Sequence, residues 1–318
     1  MTLATPSAPL ARGLVAPIDV EAITLLRRRD PGAIARAWSA RRRRPLFARE
    51  DAHSEAASDG RLLIVAADHP ARGALGVGSD ADAMASRPDV LRRLAVALSR
   101  PGVDGVLGTP DVLEDLLLAG LLDEKVVIGS MNRGGLQGAT FELDDRFTAY
   151  RARDIAAFGL DGGKTLTRIC LDDPGTAATL EATANAITQL AEHRLMAMVE
   201  PFWSVRENGR VRNLLDPDSV IRSIHVASGL GATSAYTWLK LPVVPDARDM
   251  ARVLEASTLP ALLLGGDPQG APEQTYDTWR RALRAPTAAG LVVGRALLYP
   301  PDGDVAAAVD TAADLVHG

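Results

Sequence analysis

Ala235-Tyr-Thr-Trp-Leu-Lys240, continuing as Leu241-Pro242-Val243, is a strand-length apolar run that closes on one of only three lysines in the 318-residue chain. Arginine outnumbers lysine thirty-two to three, so a position that needs only positive charge is normally met by arginine. Lysine can do what arginine cannot: lose its proton and attack a carbonyl carbon. A codon-biased genome accounts for the scarcity of lysine, but not for its address at the end of an apolar run.

Similar runs recur along the chain, at Leu62–Ala67, Gly105–Leu107, Val126–Ile128, Leu166–Leu171, Met196–Val199, Ala261–Leu264 and Leu291–Val293. All are short and aliphatic, as strands buried on both faces must be. Helical spacing of apolar residues fills the intervals, clearest in Pro88–Leu98 and Thr176–His193, with Asp111 and Asp216-Pro217 as helix-start signals. Eight strand-like runs alternating with helices over about 250 residues predict an α/β fold of the (β/α)8 TIM-barrel type. A doubly wound open sheet is the alternative. Residues 1–60 lack the alternation and read as an N-terminal helical extension, with helices around Val20–Leu26 and Ala33–Trp38; residues 61–318 form the barrel.

Composition narrows the function classes. An apolar content of 47% with 24% charged residues suits a globular domain with a large core. A net charge of −5 argues against nucleic acid as partner. The basic run Arg41–Arg44 reads as a solvated helix end or subunit contact. The single cysteine, Cys170, excludes an internal disulfide, reads as buried packing, and fits a reducing cytoplasm. No stretch reads as a membrane span or a secretory leader, so a cytoplasmic protein without a membrane partner is expected.

A barrel gathers its chemistry at the C-terminal ends of its strands. There the first run gives Asp68-His69, the fourth carries Arg168, the fifth ends in Glu200 and the sixth in Lys240. The seventh ends in Gly265-Gly266 and the eighth in Gly294-Arg295. Glycines and aspartates are common at strand ends in any case. One lysine, two arginines and two carboxylates aimed at one opening are not. An apolar setting and a neighbouring cation such as Arg168 would both favour the neutral amine of Lys240, with Glu200 beside it to move protons. The bland reading is an internal Lys240–Glu200 salt bridge. Backbone amides at Gly265, Gly266 and Gly294, with the charge of Arg295, suit a phosphate. The long polar segment Asn132–Arg146 contributes Arg133 as a candidate for a carboxylate or second phosphate. Lys125 begins the third run and Lys164 precedes the fourth, so both are expected at the opposite, N-terminal face.

The segments Ala66-Ala-Asp68-His69, Val199-Glu200-Pro201, Trp238-Leu-Lys240-Leu-Pro242, Leu264-Gly265-Gly266 and Gly290-Leu-Val-Val-Gly294-Arg295 together resemble the class I aldolase superfamily. The likeness is to the bacterial fructose-, tagatose- and deoxyribose-phosphate branch. It implies a Schiff-base lysine at Lys240, a polar partner at Asp68, a proton-handling carboxylate at Glu200 and phosphate binding at Gly266, Gly294 and Arg295. Relatives often carry a second lysine or a tyrosine near the fourth strand, where this chain offers Arg168. The pattern also resembles barrel proteins of bacterial inositol catabolism, which implies 6-phospho-5-dehydro-2-deoxygluconate aldolase as the specific activity and gives Arg133 or Arg168 a carboxylate to bind. No metal or organic cofactor is expected; the five histidines lack ligand spacing. A phosphorylated sugar is the expected partner, in a homo-oligomer. A non-covalent phosphate-binding isomerase or synthase, and a non-catalytic sugar-phosphate-binding barrel, are the alternatives.

Overall fold

Strands buried on both faces must find hydrogen-bond partners on both edges, and a closed ring supplies them. The computed structural model describes residues 18–44, 46–47, 60–132, 135–266 and 272–318. Its strands are β1 (Leu62–Ala66), β2 (Gly105–Gly108), β3 (Val126–Ser130), β4 (Gly162–Ile169), β5 (Met196–Glu207), β6 (Arg210–Leu214), β7 (Thr237–Leu241), β8 (Ala261–Leu264) and β9 (Ala288–Val293). Eight of them run parallel in the order β1-β2-β3-β4-β5-β7-β8-β9, and β9 returns to pair with β1. The expected (β/α)8 barrel is therefore closed, and the open sheet is excluded.

β6 stands outside the ring. It folds back antiparallel on the C-terminal half of β5 through Asn208-Gly209, whose φ values of 50° and 76° are both left-handed. Two consecutive left-handed residues of this kind make the turn that matches strand twist in a two-residue hairpin. The hairpin carries Asn213 and Leu215 over the C-terminal mouth.

Two helices precede the barrel, α1 (Val20–Arg29) and α2 (Gly32–Ala40). Around it lie α3 (Arg87–Leu98), α4 (Pro110–Leu118), α5 (Ala152–Ala157), α6 (Gly175–Glu192), α7 (Pro217–Ser228), α8 (Ala247–Glu255), α9 (Pro272–Ala282), α10 (Arg295–Leu298) and α11 (Val305–His317). Asp216 caps α7 by accepting from Ser219 N at 3.0 Å, as the Asp-Pro signal indicated. α4 begins one residue before Asp111, which accepts from the Thr109 hydroxyl at 2.6 Å. None of the described helices is long and apolar enough to cross a membrane.

The apolar core divides in two. Residues such as Leu63, Val65, Val127 and Leu263 face the helices, whereas Leu62, Ile64, Ile128, Met196, Met198 and Leu262 fill the barrel interior. The segment after α2 closes the N-terminal mouth. Arg41 is buried and donates to the carbonyls of Lys125 at 3.1 Å and Gly159 at 2.6 Å. Arg44 pairs with Asp104 at 2.6 Å, and Leu46 and Phe47 pack against the interior cluster. The basic run was expected to be solvated or to contact a subunit, but Arg41 is instead spent on carbonyls at the barrel floor. Strand starts leave those carbonyls unpaired, and a guanidinium has enough donors to serve several at once.

Candidate active site

Side chains alternate along a strand, so one parity faces the barrel interior. On β5 the inward series is Met196, Met198, Glu200, with both methionines in the interior cluster. The same parity gives Trp238 and Lys240 on β7, Lys164, Leu166 and Arg168 on β4, and Leu62, Ile64, Ala66 and then Asp68 along and beyond β1. The interior is thus apolar below and charged above, toward the C-terminal ends.

Four charged side chains form one connected chain. Lys240 Nζ lies 2.8 Å from Glu200 Oε1, and Lys164 Nζ pairs with Glu200 Oε2. Lys164 Nζ also donates to Asp68 Oδ2 at 3.3 Å, an oxygen that accepts from Ser130 Oγ at 3.2 Å. Lys164 and Asp68 are fully buried, whereas Lys240, at 3% exposure, lines the cavity at the barrel mouth. The Lys240–Glu200 ion pair is therefore present, with one lysine in the cavity wall and a second held deeper.

Lys164 corrects two expectations. It lies within β4 at the C-terminal site, not at the opposite face, and it supplies the second lysine that the fourth strand was thought to lack. The strand begins at Gly162, before the apolar run at Leu166. Gly162 is required at that start because a Cβ would strike Met196 O on the neighbouring β5. Lys125 behaves as expected, donating to Val103 O at 2.6 Å just before β3.

The remaining candidates separate. His69, Gly265, Gly266, Gly294 and Arg295 all line the cavity, with Lys240, Glu200 and Arg168. Gly294 is sterically necessary, since a Cβ would strike Ala66 O at the end of β1. Arg168 reaches the cavity but is saturated: Nε and Nη2 hold Asp145 at 2.8 and 2.6 Å, Nη2 also donates to Glu142 O, and Nη1 pairs with Glu142 Oε1 at 3.3 Å. Its charge is paired with the carboxylates of the loop after β3. Arg133 lies outside the described residues. Sequence reading passed over Asn132, which clamps β4 by accepting from Leu166 N and donating to Leu166 O, both at 2.6 Å. It also passed over Arg72, Asn213 and Leu215 in the cavity wall. Asn208-Gly209, an available hairpin signal, would have placed the last two.

Residues 60–313 match the Cgl0159-like family. The chain belongs to that family. A crystal structure of one member, Cgl0159 from Corynebacterium glutamicum (Brevibacterium flavum), is 54% identical, covers 96% of this chain and 98% of its own, and superposes with a TM-score of 0.88. More distant structures share the fold with this family member. A Schiff-base-forming fructose-1,6-bisphosphate aldolase reaches a TM-score of 0.61 at 21% identity, over 82% of this chain and 96% of that one. An archaeal fructose 1,6-bisphosphate aldolase reaches 0.61 at 20% identity, over 81% and 94%. No curated protein matches the sequence.

Within this family member's site, His69 has its Nδ1 buried while the side chain keeps 24% exposure. Burial, then the cations Arg295 and Lys240, hold its pKa well below the ordinary value of 6.5. The imidazole is therefore neutral when folded. Between the depressed value and about 6.5 the unfolded chain binds a proton that the folded chain refuses, so stability falls as pH drops through that window. Urea unfolding at about pH 7.5 and 5.5 should show a larger loss for the natural protein than for His69→Asn. Equal losses would remove His69 as the source.

Proposed function

We propose that this protein is a lyase, a class I aldolase that forms and cleaves a carbon–carbon bond of a phosphorylated keto sugar through a Schiff base on Lys240. The observation that carries this reading is the cavity-lining Lys240 amine on Glu200, whose other oxygen holds a second, deeper lysine. The fold shared with Schiff-base-forming fructose-1,6-bisphosphate aldolases supports it.

Lys240 Nζ attacks the ketone carbon in its neutral form. The carbonyl oxygen takes up two protons, one of them shed by the nitrogen, and leaves as water, with Glu200 placed to relay protons to and from the nitrogen. The resulting iminium accepts the electron pair of the bond that breaks. A base removes the proton of the hydroxyl on the far carbon of that bond, which becomes the aldehyde, and an enamine is left on Lys240. Protonation of the enamine carbon and addition of water then return the ketone product and free Lys240. Lys164 and Asp68, joined to Glu200, form the proton reservoir for these transfers. The amides of Gly265, Gly266 and Gly294, with Arg295, suit the phosphate.

The specific substrate we propose is 6-phospho-5-dehydro-2-deoxygluconate, on the resemblance of the sequence pattern to barrel proteins of bacterial inositol catabolism. Cleavage between its C3 and C4 yields dihydroxyacetone phosphate and malonate semialdehyde. Borohydride added in the presence of dihydroxyacetone phosphate should reduce the imine and add the ligand's mass to the peptide containing Lys240. An unmodified Lys240 peptide with turnover intact would overturn the mechanism.

A further inference from the structure

Two arginines other than Arg295 reach the described cavity wall, and they are in opposite states. Arg168 has its donors taken by Asp145 and Glu142. Arg72 does not. Its Nη1 is buried and has no hydrogen-bond partner among the described residues, and no ion pair to its guanidinium is present among them. A buried guanidinium donor left unmade is costly, because it has lost water and gained nothing. Such a donor in a cavity wall is the mark of a group that a ligand completes.

The backbone holds Arg72 firmly. It ends the short turn Pro70–Arg72 after β1, and its carbonyl accepts from Gln137 N at 3.0 Å, which ties it to the loop after β3. The charges that act on it most strongly are Arg168, Asp145, Glu142 and Glu200, whereas His69, three residues earlier, is dominated by Arg295 and Lys240. The backbone bond to Gln137 therefore sets Arg72 against the loop after β3, on the β3–β4 side of the cavity that it lines. In the ring order that side lies across the barrel from the β8 and β9 loops, with Glu200 and Lys240 between. A ligand whose phosphate rests on Gly266 and Arg295 and whose ketone meets Lys240 would extend its far end toward Arg72. Asp145 and Glu142 attract Arg72 across space, but their oxygens are directed to Arg168 and, for Glu142 Oε2, to Gly138 N at 2.9 Å.

We propose that Arg72 is the specificity-determining residue for a second anionic group, a carboxylate or phosphate on the aldehyde half of the substrate. The inference rests on the aldolase reading and deepens it: the site selects keto sugar phosphates that are charged at both ends. A guanidinium recognises either anion with paired, charge-assisted hydrogen bonds.

The test is bond formation with dihydroxyacetone phosphate as donor and aldehydes of comparable length as acceptors. Butanal is neutral, succinate semialdehyde ends in a carboxylate, and glyceraldehyde 3-phosphate ends in a phosphate. The natural protein should prefer a charged acceptor. Arg72→Gln should lower kcat/KM for that acceptor by about ten- to a hundredfold, the worth of a hydrogen bond to a charged group, and far less for butanal. Arg72→Lys should recover part of the loss, and the acceptor more strongly affected identifies the anion. Equal losses on all acceptors would mean a structural role, and an intact preference would mean another residue; either overturns the proposal. If the natural protein forms no product, the aldolase reading fails separately. Calorimetric titration with malonate and with inorganic phosphate then decides Arg72: binding weakened at least tenfold in Arg72→Gln supports the subsite, and unchanged binding of both rejects it.

Discussion

Lys240→Arg should lower carbon–carbon cleavage by about 10⁴-fold or more, the scale seen when a covalent nucleophile is removed. The substitution is chosen because it keeps the charge. A guanidinium at this position still opposes Glu200, so the ion pair at 2.8 Å has a replacement and the barrel interior keeps its electrostatic balance. What it cannot keep is a nitrogen able to shed a proton and attack carbon. Triose phosphate release, coupled to a dehydrogenase, measures the loss. Borohydride trapping with dihydroxyacetone phosphate should give no adduct on the variant, and far-ultraviolet circular dichroism should show the fold retained. Full turnover in Lys240→Arg would instead mean that the reaction proceeds without a covalent lysine, through groups such as Glu200 and Asp68.

The closed ring was legible because strands buried on both faces have a plain sequence signature, and each of the eight expected runs overlaps a barrel strand. Glu200, Lys240 and Asp68 were legible for the same reason, since each directly follows or ends an aliphatic run. β4 was the weak point. Its first four residues, Gly162-Gly163-Lys164-Thr165, hold no aliphatic side chain, and at Gly162 a Cβ would strike the backbone of β5. Aliphatic runs alone therefore start the strand at Leu166 and place Lys164 at the wrong end of the barrel. Parity alone would have recovered it: Lys164 lies two residues before Leu166 and four before Arg168, so all three share one face. The pairing of Arg168 is illegible for a different reason. Its partners, Asp145 and Glu142, sit on a loop more than twenty residues away in sequence, and no local pattern reveals such pairing. Arg72 stands on a short turn with no periodicity, and only the absence of a partner in three dimensions sets it apart.

Lys164→Met tests the division of labour between the two lysines. The substitution keeps an unbranched chain of similar length but removes the amine that joins Glu200 to Asp68. Two consequences should separate. Stability should fall by about 3–5 kcal/mol, the usual cost of leaving buried charges without their partner, as read by the urea midpoint. Turnover should fall by about 10²–10⁴-fold, the usual worth of a positioned proton-transfer group. Lys240 should nonetheless still be trapped by borohydride, because its amine lines the cavity and keeps Oε1 of Glu200. The double substitution Lys164→Met with Glu200→Gln removes one charge of each sign. It should recover part of the stability without recovering turnover, which separates a folding defect from a chemical one. The reverse pattern, an adduct lost in Lys164→Met and kept in Lys240→Arg, would make the deeper lysine the nucleophile. That outcome would need a route by which substrate reaches a side chain with no exposed surface. On the proposed aldolase reading, burial separates two amines that share one carboxylate: Lys240 lines the cavity where a ketone would meet it, and Lys164 stands deeper on the other oxygen of Glu200.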